Sequence, residues 1–442
     1  MSGSVIPMPK KVPCGAKPTL FEKMLLMMTI IIIPLENLLP VVGGFSGIYI
    51  LFMVLGGYVA LYRLAALQKV ATHPVFVSIC GMIFIWFIVE SVHPKPNYGI
   101  IFRFAQMIVG GVFVATLCRD RNVLQWAFYG YLVAGLWMAI LLFLTSYGAL
   151  SAASVSNFHD ASRLRSDTFA DNPLEANLNG MAKITGVGAL VALALVLGKG
   201  STLRRNTLIA IAGFCLLATF LTMSRSGLMA ILVAGSAIMI SYGIGVRVIV
   251  MVVILGISML IWVPDAVLTR MSFSTEKSHS GKMEARAQVY TASFETFDQY
   301  GLNGVGAGNF WGPWGSKTRF WFPSKQHVIG PHNSFIAVTI YWGMPGLLSF
   351  LFVLYQAYRC LPRKCGSDVL TLCLLGLSVA LVMNMMSSHV LAAKPFSLGL
   401  GLLVGYQCWI RPKKGLQSVA RVKIDDRYRG RMSKKTLEFT AH

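Results

Sequence analysis

The sequence predicts an all-α, polytopic membrane protein with about twelve transmembrane helices and one large periplasmic loop containing helical segments. Three observations predict it. The 442 residues are 55% hydrophobic and only 13% charged, well below the quarter or so of charged residues typical of water-soluble domains. Apolar runs long enough to cross about 30 Å of hydrocarbon recur along the chain, at 22–41, 45–63, 75–92, 99–118, 123–147, 180–198, 205–222, 226–245, 247–264, 334–358, 368–388 and 394–410. The connections between them are consistently basic on one side, as the positive-inside rule requires.

That rule sets the expected orientation. With residues 1–21 as a cytoplasmic N-terminus, 25 of the 39 Lys and Arg residues fall on the inner side, ten of them in a basic cytoplasmic tail at 411–442. The first apolar run starts some twenty residues in without a small-residue cleavage site, so it reads as a retained helix rather than a signal peptide. The order is then helices 1–5 over 22–147, a periplasmic loop at 148–179, helices 6–9 over 180–264, the large periplasmic loop at 265–333, and helices 10–12 over 334–410. The formal charge of +22 fits basic loops beside anionic lipid headgroups. It does not call for nucleic acid, since no recognisable binding module accompanies it. The eight cysteines show no metal-site spacing and none lies in an outer loop, so free thiols and packing residues are expected. No internal repeat is visible, which argues against inverted-repeat transporters.

Long loops inside a compact architecture usually carry function. In the larger one, residues 280–300 read as a helix ended by Gly301, with Met283, Ala287, Tyr290, Phe294 and Phe297 forming an apolar stripe. Arg286 falls at the border of that stripe, either solvated or aimed into a polar cavity. The stretch from Gly304 to Phe310 carries three glycines at alternate positions. With no preceding strand it is a weak nucleotide signal and reads as a turn that lets backbone come close to a ligand. Trp311, Trp314, Phe320, Trp321 and Phe322, interleaved with Lys317, Arg319 and Lys325, fit either sugar rings and anionic headgroups or an interfacial aromatic belt.

Polar residues gather at the expected outer ends of the helices. Arg225 lies at the tight turn before the eighth span, flanked by Ser224 and Ser226. It is either an interfacial anchor or a bidentate cation for a phosphate group. Arg163 and Arg165 lie in the first outer loop, and His332 follows Pro331 at the start of the tenth span. A histidine there is either a capping residue or a source of proton chemistry near neutral pH. The outer histidines match no metal spacing and no Asp-x-Asp pair is present, so the site is expected to be metal-free and without cofactor.

His332-Asn333, then nine residues to Gly343 and two more to Gly346, resembles the signature of bacterial O-antigen ligases: His, then Asn, Ser or Gln, nine residues, Gly, two residues, then Gly, Thr or Tyr. The resemblance extends to Ser224-Arg225-Ser226, to Arg286, to the Gly304–Phe310 element and to the layout with its largest loop before the histidine. It covers roughly residues 160–360. One feature departs: the family often has Leu four positions after an Arg, whereas Arg225 is followed there by Met229 and Arg286 by Tyr290. The resemblance implies a glycosyltransferase of the bacterial inner membrane, with both termini cytoplasmic and a periplasmic active site. It would move O-antigen glycan from undecaprenyl diphosphate to lipid A–core. In that reading His332 is the base, Arg225 and Arg286, with Arg163 and Arg165, hold the diphosphate, and Asn333, Ser224, Gly343 and Gly346 support the site. Polymerases and protein O-oligosaccharyltransferases share much of the pattern. A transporter is disfavoured because few ionisable groups lie near the centres of the spans.

Overall fold

The computed structural model describes residues 17–32, 41–42, 45–152, 160, 164, 167–168, 178–198, 201–244, 263–264, 267–268, 285–318, 320–322, 327–362, 365–366, 368–387 and 394–411. These are nearly all helical. In chain order the longer helices are α1 (Leu20–Ile32), α2 (Gly47–Tyr62), α3 (Leu64–Ala71), α4 (Pro74–Ser91), α5 (Gly99–Leu117), α6 (Arg121–Ala152) and α7 (Leu178–Val196). Then come α8 (Thr202–Leu221), α9 (Arg225–Tyr242), α10 (Ala285–Glu295), α11 (Ser334–Cys360), α12 (Val369–Ser387) and α13 (Lys394–Gly405). Two antiparallel ladders of two residues each, Val41–Val42 with Phe45–Ser46 and Trp321–Phe322 with His327–Val328, are the described strands.

Among the described residues eight helices, α4–α9, α11 and α12, are long and apolar enough to span a membrane, and α2 with α3 makes a ninth if that pair is one span bent by 105°. This is a multi-pass membrane protein by length and composition. Of the expected spans, 247–264 lies almost wholly outside the described residues and 22–41 does so in its second half. Helix α6 runs to Ala152, beyond the expected boundary at 147. The hydroxyls of Thr145 and Ser146 bond back to the carbonyls of Leu141 and Leu142, so polar residues continue the helix instead of ending it.

At the end of the bundle carrying Arg63, Lys69, Trp409 and Asp368, several cations are tied internally. Arg63 sits at the α2–α3 bend with its guanidinium on Glu22 of α1, Nε 2.5 Å from Oε1 and Nη2 2.9 Å from Oε2, and both side chains are buried. The fork geometry satisfies two carboxylate oxygens at once. Lys69 donates to the Cys408 carbonyl and lies 3.8 Å from the Trp409 ring. Arg121 pairs with Asp368 across α6 and α12. The seven described cysteines are free thiols.

The two glycine motifs meet. Helix α11 is broken at Gly343, whose backbone (φ 61°, ψ −158°) is non-helical. Pro345 has no N–H to offer Tyr341, and the Met344 N–H turns aside to the carbonyls of Gly301 and Leu302. The carbonyls of Ile340 and Tyr341 are thereby released. They accept instead from Val305 N (2.8 Å) and Gly306 N (3.0 Å), so each backbone group freed by the break finds a partner in the incoming loop. Gly304 and Gly343 both have positive φ, and a Cβ on either would strike the other segment's backbone. The expected turn near a ligand is therefore a clip onto α11. Gly343→Ala is expected to destabilise the protein by about 2–4 kcal/mol, from φ strain plus the clash with the Leu302 carbonyl. A wild-type thermal unfolding midpoint for the purified variant in detergent would refute this account of the break.

Gly346, one turn on, leaves room for Trp342, whose Cβ would lie 2.5 Å from a Cβ there. The Gly346 carbonyl accepts from Trp86 Nε1, and the Trp86 and Trp342 rings stack 4.0 Å apart. One hydrophobic core then runs from α4 and α5 through Val289, Tyr300, Phe310 and Phe320 into α11. The segment between α10 and α11 is continuous with the bundle core, not a separate domain.

Candidate functional site

The local sequence at the start of α11 explains where His332 points. Asn333 is the N-cap, with extended backbone, and its Oδ1 accepts from Phe335 N (2.9 Å) and Ile336 N (3.2 Å). Pro331 is buried and its carbonyl accepts from Asn333 N. His332 is held between these two anchored residues and is itself exposed. Asn333 thus acts on the helix end, and the imidazole is left at the mouth.

The start of α9 has a comparable design. Ser224 caps the helix, accepting from Gly227 N at 3.3 Å, and its hydroxyl donates to Asn179 Oδ1 at 2.9 Å. Its predecessor Met223 is buried and has φ 52°, a left-handed conformation that costs a non-glycine residue about 1–3 kcal/mol. Strain of this kind is kept where the surroundings over-determine it, and here it turns α8 sharply into α9. Arg225, half-buried, is the first residue of α9, where the helix dipole and free N–H groups already favour an anion.

Antiparallel packing brings these starts to one end of the bundle. Helix α4 runs against α11, with Trp86 beside Gly346 and Glu90 bonded to Trp342. Helix α9 packs on α12, with Ile238 against Gly376, which directs Arg225 toward the Ser387 end. Helix α11 also packs on α12, and the Tyr290 hydroxyl of α10 donates to the Met386 carbonyl. The far end of α12 is therefore a common neighbour of the elements bearing Arg225, Arg286 and His332. Arg286 is the second residue of α10, but its side chain lies outside the described residues, as do Arg163 and Arg165 entirely.

The stripe expected on 280–300 is corrected. The described helix is Ala285–Glu295 with a further turn at Phe297–Tyr300, and it buries Val289, Ala292, Ser293 and Tyr300. Phe294 and Phe297 are 75% and 49% exposed. Val289, Ala292 and Ser293 face the core while Phe294 and Phe297 mark the exposed side, and Met283 and the Ala287 side chain lie outside the described residues. Within the aromatic run Phe320 is buried, Trp314 and Trp321 are partly buried against the core, and Trp311 is exposed. Phe310, just before the run, meets Trp311, Phe320 and Tyr341 edge-to-face, and Trp314 packs against both Phe310 and Phe320. The Phe322 side chain lies outside the described residues.

Sequence reasoning missed Glu90. This carboxylate at the end of α4 is fully buried. One oxygen accepts from Asn97 N (2.8 Å) and Gly308 N (3.3 Å), the other from Ala307 N (2.9 Å) and Trp342 Nε1 (2.9 Å). It ties α4, the Gly304–Phe310 loop and α11 at one point. A lone acidic residue near the end of an apolar run was the available signal. Among the described residues, no three His, Cys, Asp or Glu side chains are grouped to hold a metal ion.

A family model described as O-Antigen ligase matches residues 208–351. Over that stretch the chain is similar to the O-antigen ligase family. The matched segment contains the strained turn into α9, the loop clipped by Glu90, His332 with its cap, and the break at Gly343. Comparison with curated proteins finds no match. The similarity is to the O-antigen ligase and polymerase superfamily, whose reactions are of a glycosyltransferase-like class.

Proposed function

We propose that the protein is an O-antigen ligase that transfers glycan from undecaprenyl diphosphate to a sugar hydroxyl of lipid A–core, at the periplasmic face of the bacterial inner membrane. The observation that supports this best is His332, exposed between a buried proline and a capping asparagine, at the same bundle end as the arginine-bearing start of α9. Both termini are cytoplasmic in this reading, membrane lipid surrounds the bundle, and nucleic acid plays no part.

The reaction is a direct displacement. The acceptor oxygen attacks the anomeric carbon, the carbon–oxygen bond to the diphosphate breaks, and that electron pair leaves on the phosphate. Attack from the face opposite the leaving group inverts the anomeric centre. A diphosphate needs no proton to depart, so the protein has two tasks: to neutralise the charge building on it and to take the proton from the hydroxyl. Arg225 and Arg286, with Arg163 and Arg165, serve the first, and His332 the second. Ser224 holds the α9 start that carries Arg225, while Asn333, Gly343 and Gly346 shape α11. No metal or cofactor is required by this scheme.

Arg225→Lys keeps the charge and loses the planar fork that matches two phosphate oxygens. It is expected to lower kcat/KM for the lipid-linked donor about tenfold, or roughly 1.4 kcal/mol, and an unchanged value would remove Arg225 from the site. Ligase and polymerase are separated by product analysis. The purified protein receives lipid-linked donor with either lipid A–core or a second lipid-linked glycan, and transfer to the second alone would establish a polymerase. Transfer to a peptide alone would establish a protein glycosyltransferase.

A further inference from the structure

Trp311 is placed unlike the other aromatics of its segment. It is 46% exposed, yet its ring is fixed on three sides. The indole Nε1 donates to the Tyr341 hydroxyl at 3.1 Å, Phe310 meets the ring edge-to-face with centroids 5.1 Å apart, and Gly330 lies against its far edge. A Cβ on Gly330 would come within 2.9 Å of Trp311 Cη2. Gly330 is two residues before His332 in the chain, so the ring edge touches the segment that carries the candidate base.

Two uses suit an exposed tryptophan here. A tryptophan at a membrane interface keeps its apolar body in lipid and its N–H toward water and headgroups. In Trp311 the N–H is consumed internally, while the residue as a whole stays 46% exposed. A bare, electron-rich indole face suits the C–H-bearing face of a pyranose, whose hydrogens are the positive partner. The close approach at Gly330 is a second requirement of the same arrangement, because any side chain there would push the ring out of its place against the segment leading to His332.

We propose that Trp311 is the stacking platform for a sugar ring of the glycan, setting it beside His332. This rests on the glycosyl-transfer reading of the site, but binding and chemistry are separable. The probe is the free oligosaccharide released by mild acid from the lipid-linked glycan of the source cells, observed by saturation-transfer NMR with the purified full-length protein. Wild type and His332→Ala are expected to transfer saturation to the sugar protons equally, and Trp311→Leu, apolar but without a ring, to lose most of the signal. Trp311→Phe, which keeps a ring, retains it. In turnover, Trp311→Leu is expected to raise the donor KM about tenfold with kcat within about threefold. No saturation transfer in wild type, or an undiminished signal in Trp311→Leu, overturns the proposal. So does quenching of the Trp311 contribution, taken as wild type minus Trp311→Phe fluorescence, by lipids brominated near the headgroup. If His332→Ala binds sugar normally and also transfers normally, the assignment of the base fails while the platform stands.

Discussion

His332→Ala is expected to leave the protein folded and to reduce glycosyl transfer by about 10²–10⁴-fold, the range that a positioned acid or base contributes. The fold should tolerate the change because the imidazole is exposed, while the helix end is capped by Asn333 and the preceding turn is anchored by buried Pro331. Unfolding midpoints of variant and wild type should therefore agree closely. The role needs the neutral imidazole, since an imidazolium has no lone pair to accept the hydroxyl proton. Added imidazole should restore part of the variant's rate, since the site opens to solvent. A variant with wild-type kcat would show that the proton goes elsewhere.

What the sequence revealed and what it hid follow from the range of the forces involved. Apolar runs are legible because hydrocarbon imposes the same demand on every span, and eight helices answer to it directly. The motif at 332–346 was legible as spacing, and the family match over 208–351 agrees with it. The use made of its glycines was not. Gly343 and Gly304 are each intelligible only through the other, since the carbonyls freed by one segment are satisfied by the N–H groups of a loop 35 residues earlier. The stripe over 283–297 failed for a related reason. Periodicity weighs bulky residues, whereas a helix packed closely against a core turns its alanines and serines inward, as Ala292 and Ser293 do. Nothing in the sequence around Arg63 names Glu22, 41 residues away, as its partner.

Glu90 is the extreme of that difficulty, and its replacement is the change expected to damage the protein most. Three of its four donors come from residues more than 200 positions away, Ala307, Gly308 and Trp342. A carboxylate is acceptor-only and each of its oxygens here serves two N–H groups. In Glu90→Gln one oxygen becomes an NH₂ that faces two donors, so one pair of bonds is lost and replaced by opposed dipoles. In Glu90→Ala all four donors lose their partner in a buried site. Hydrogen bonds to a charged group contribute about 1.5–3 kcal/mol each, and an orphaned buried donor costs about 1–3 kcal/mol. Even with partial filling by water, a loss of roughly 3–5 kcal/mol is expected for Glu90→Ala and somewhat less for Glu90→Gln. The damage should be local first. The Gly304–Phe310 loop is released from α4, its clip on the α11 break at Gly343 is weakened, and the turn that carries Trp311 moves. Limited proteolysis should therefore show cleavage between residues 301 and 331 under conditions where wild type resists, before the bundle unfolds, and transfer should be lost with it. Glu90→Asp, which keeps both oxygens on a shorter stem, should recover part of the protection. Equal protease resistance in Glu90→Ala and wild type would mean that the loop is held by its contacts with α11 alone and that the buried carboxylate is dispensable.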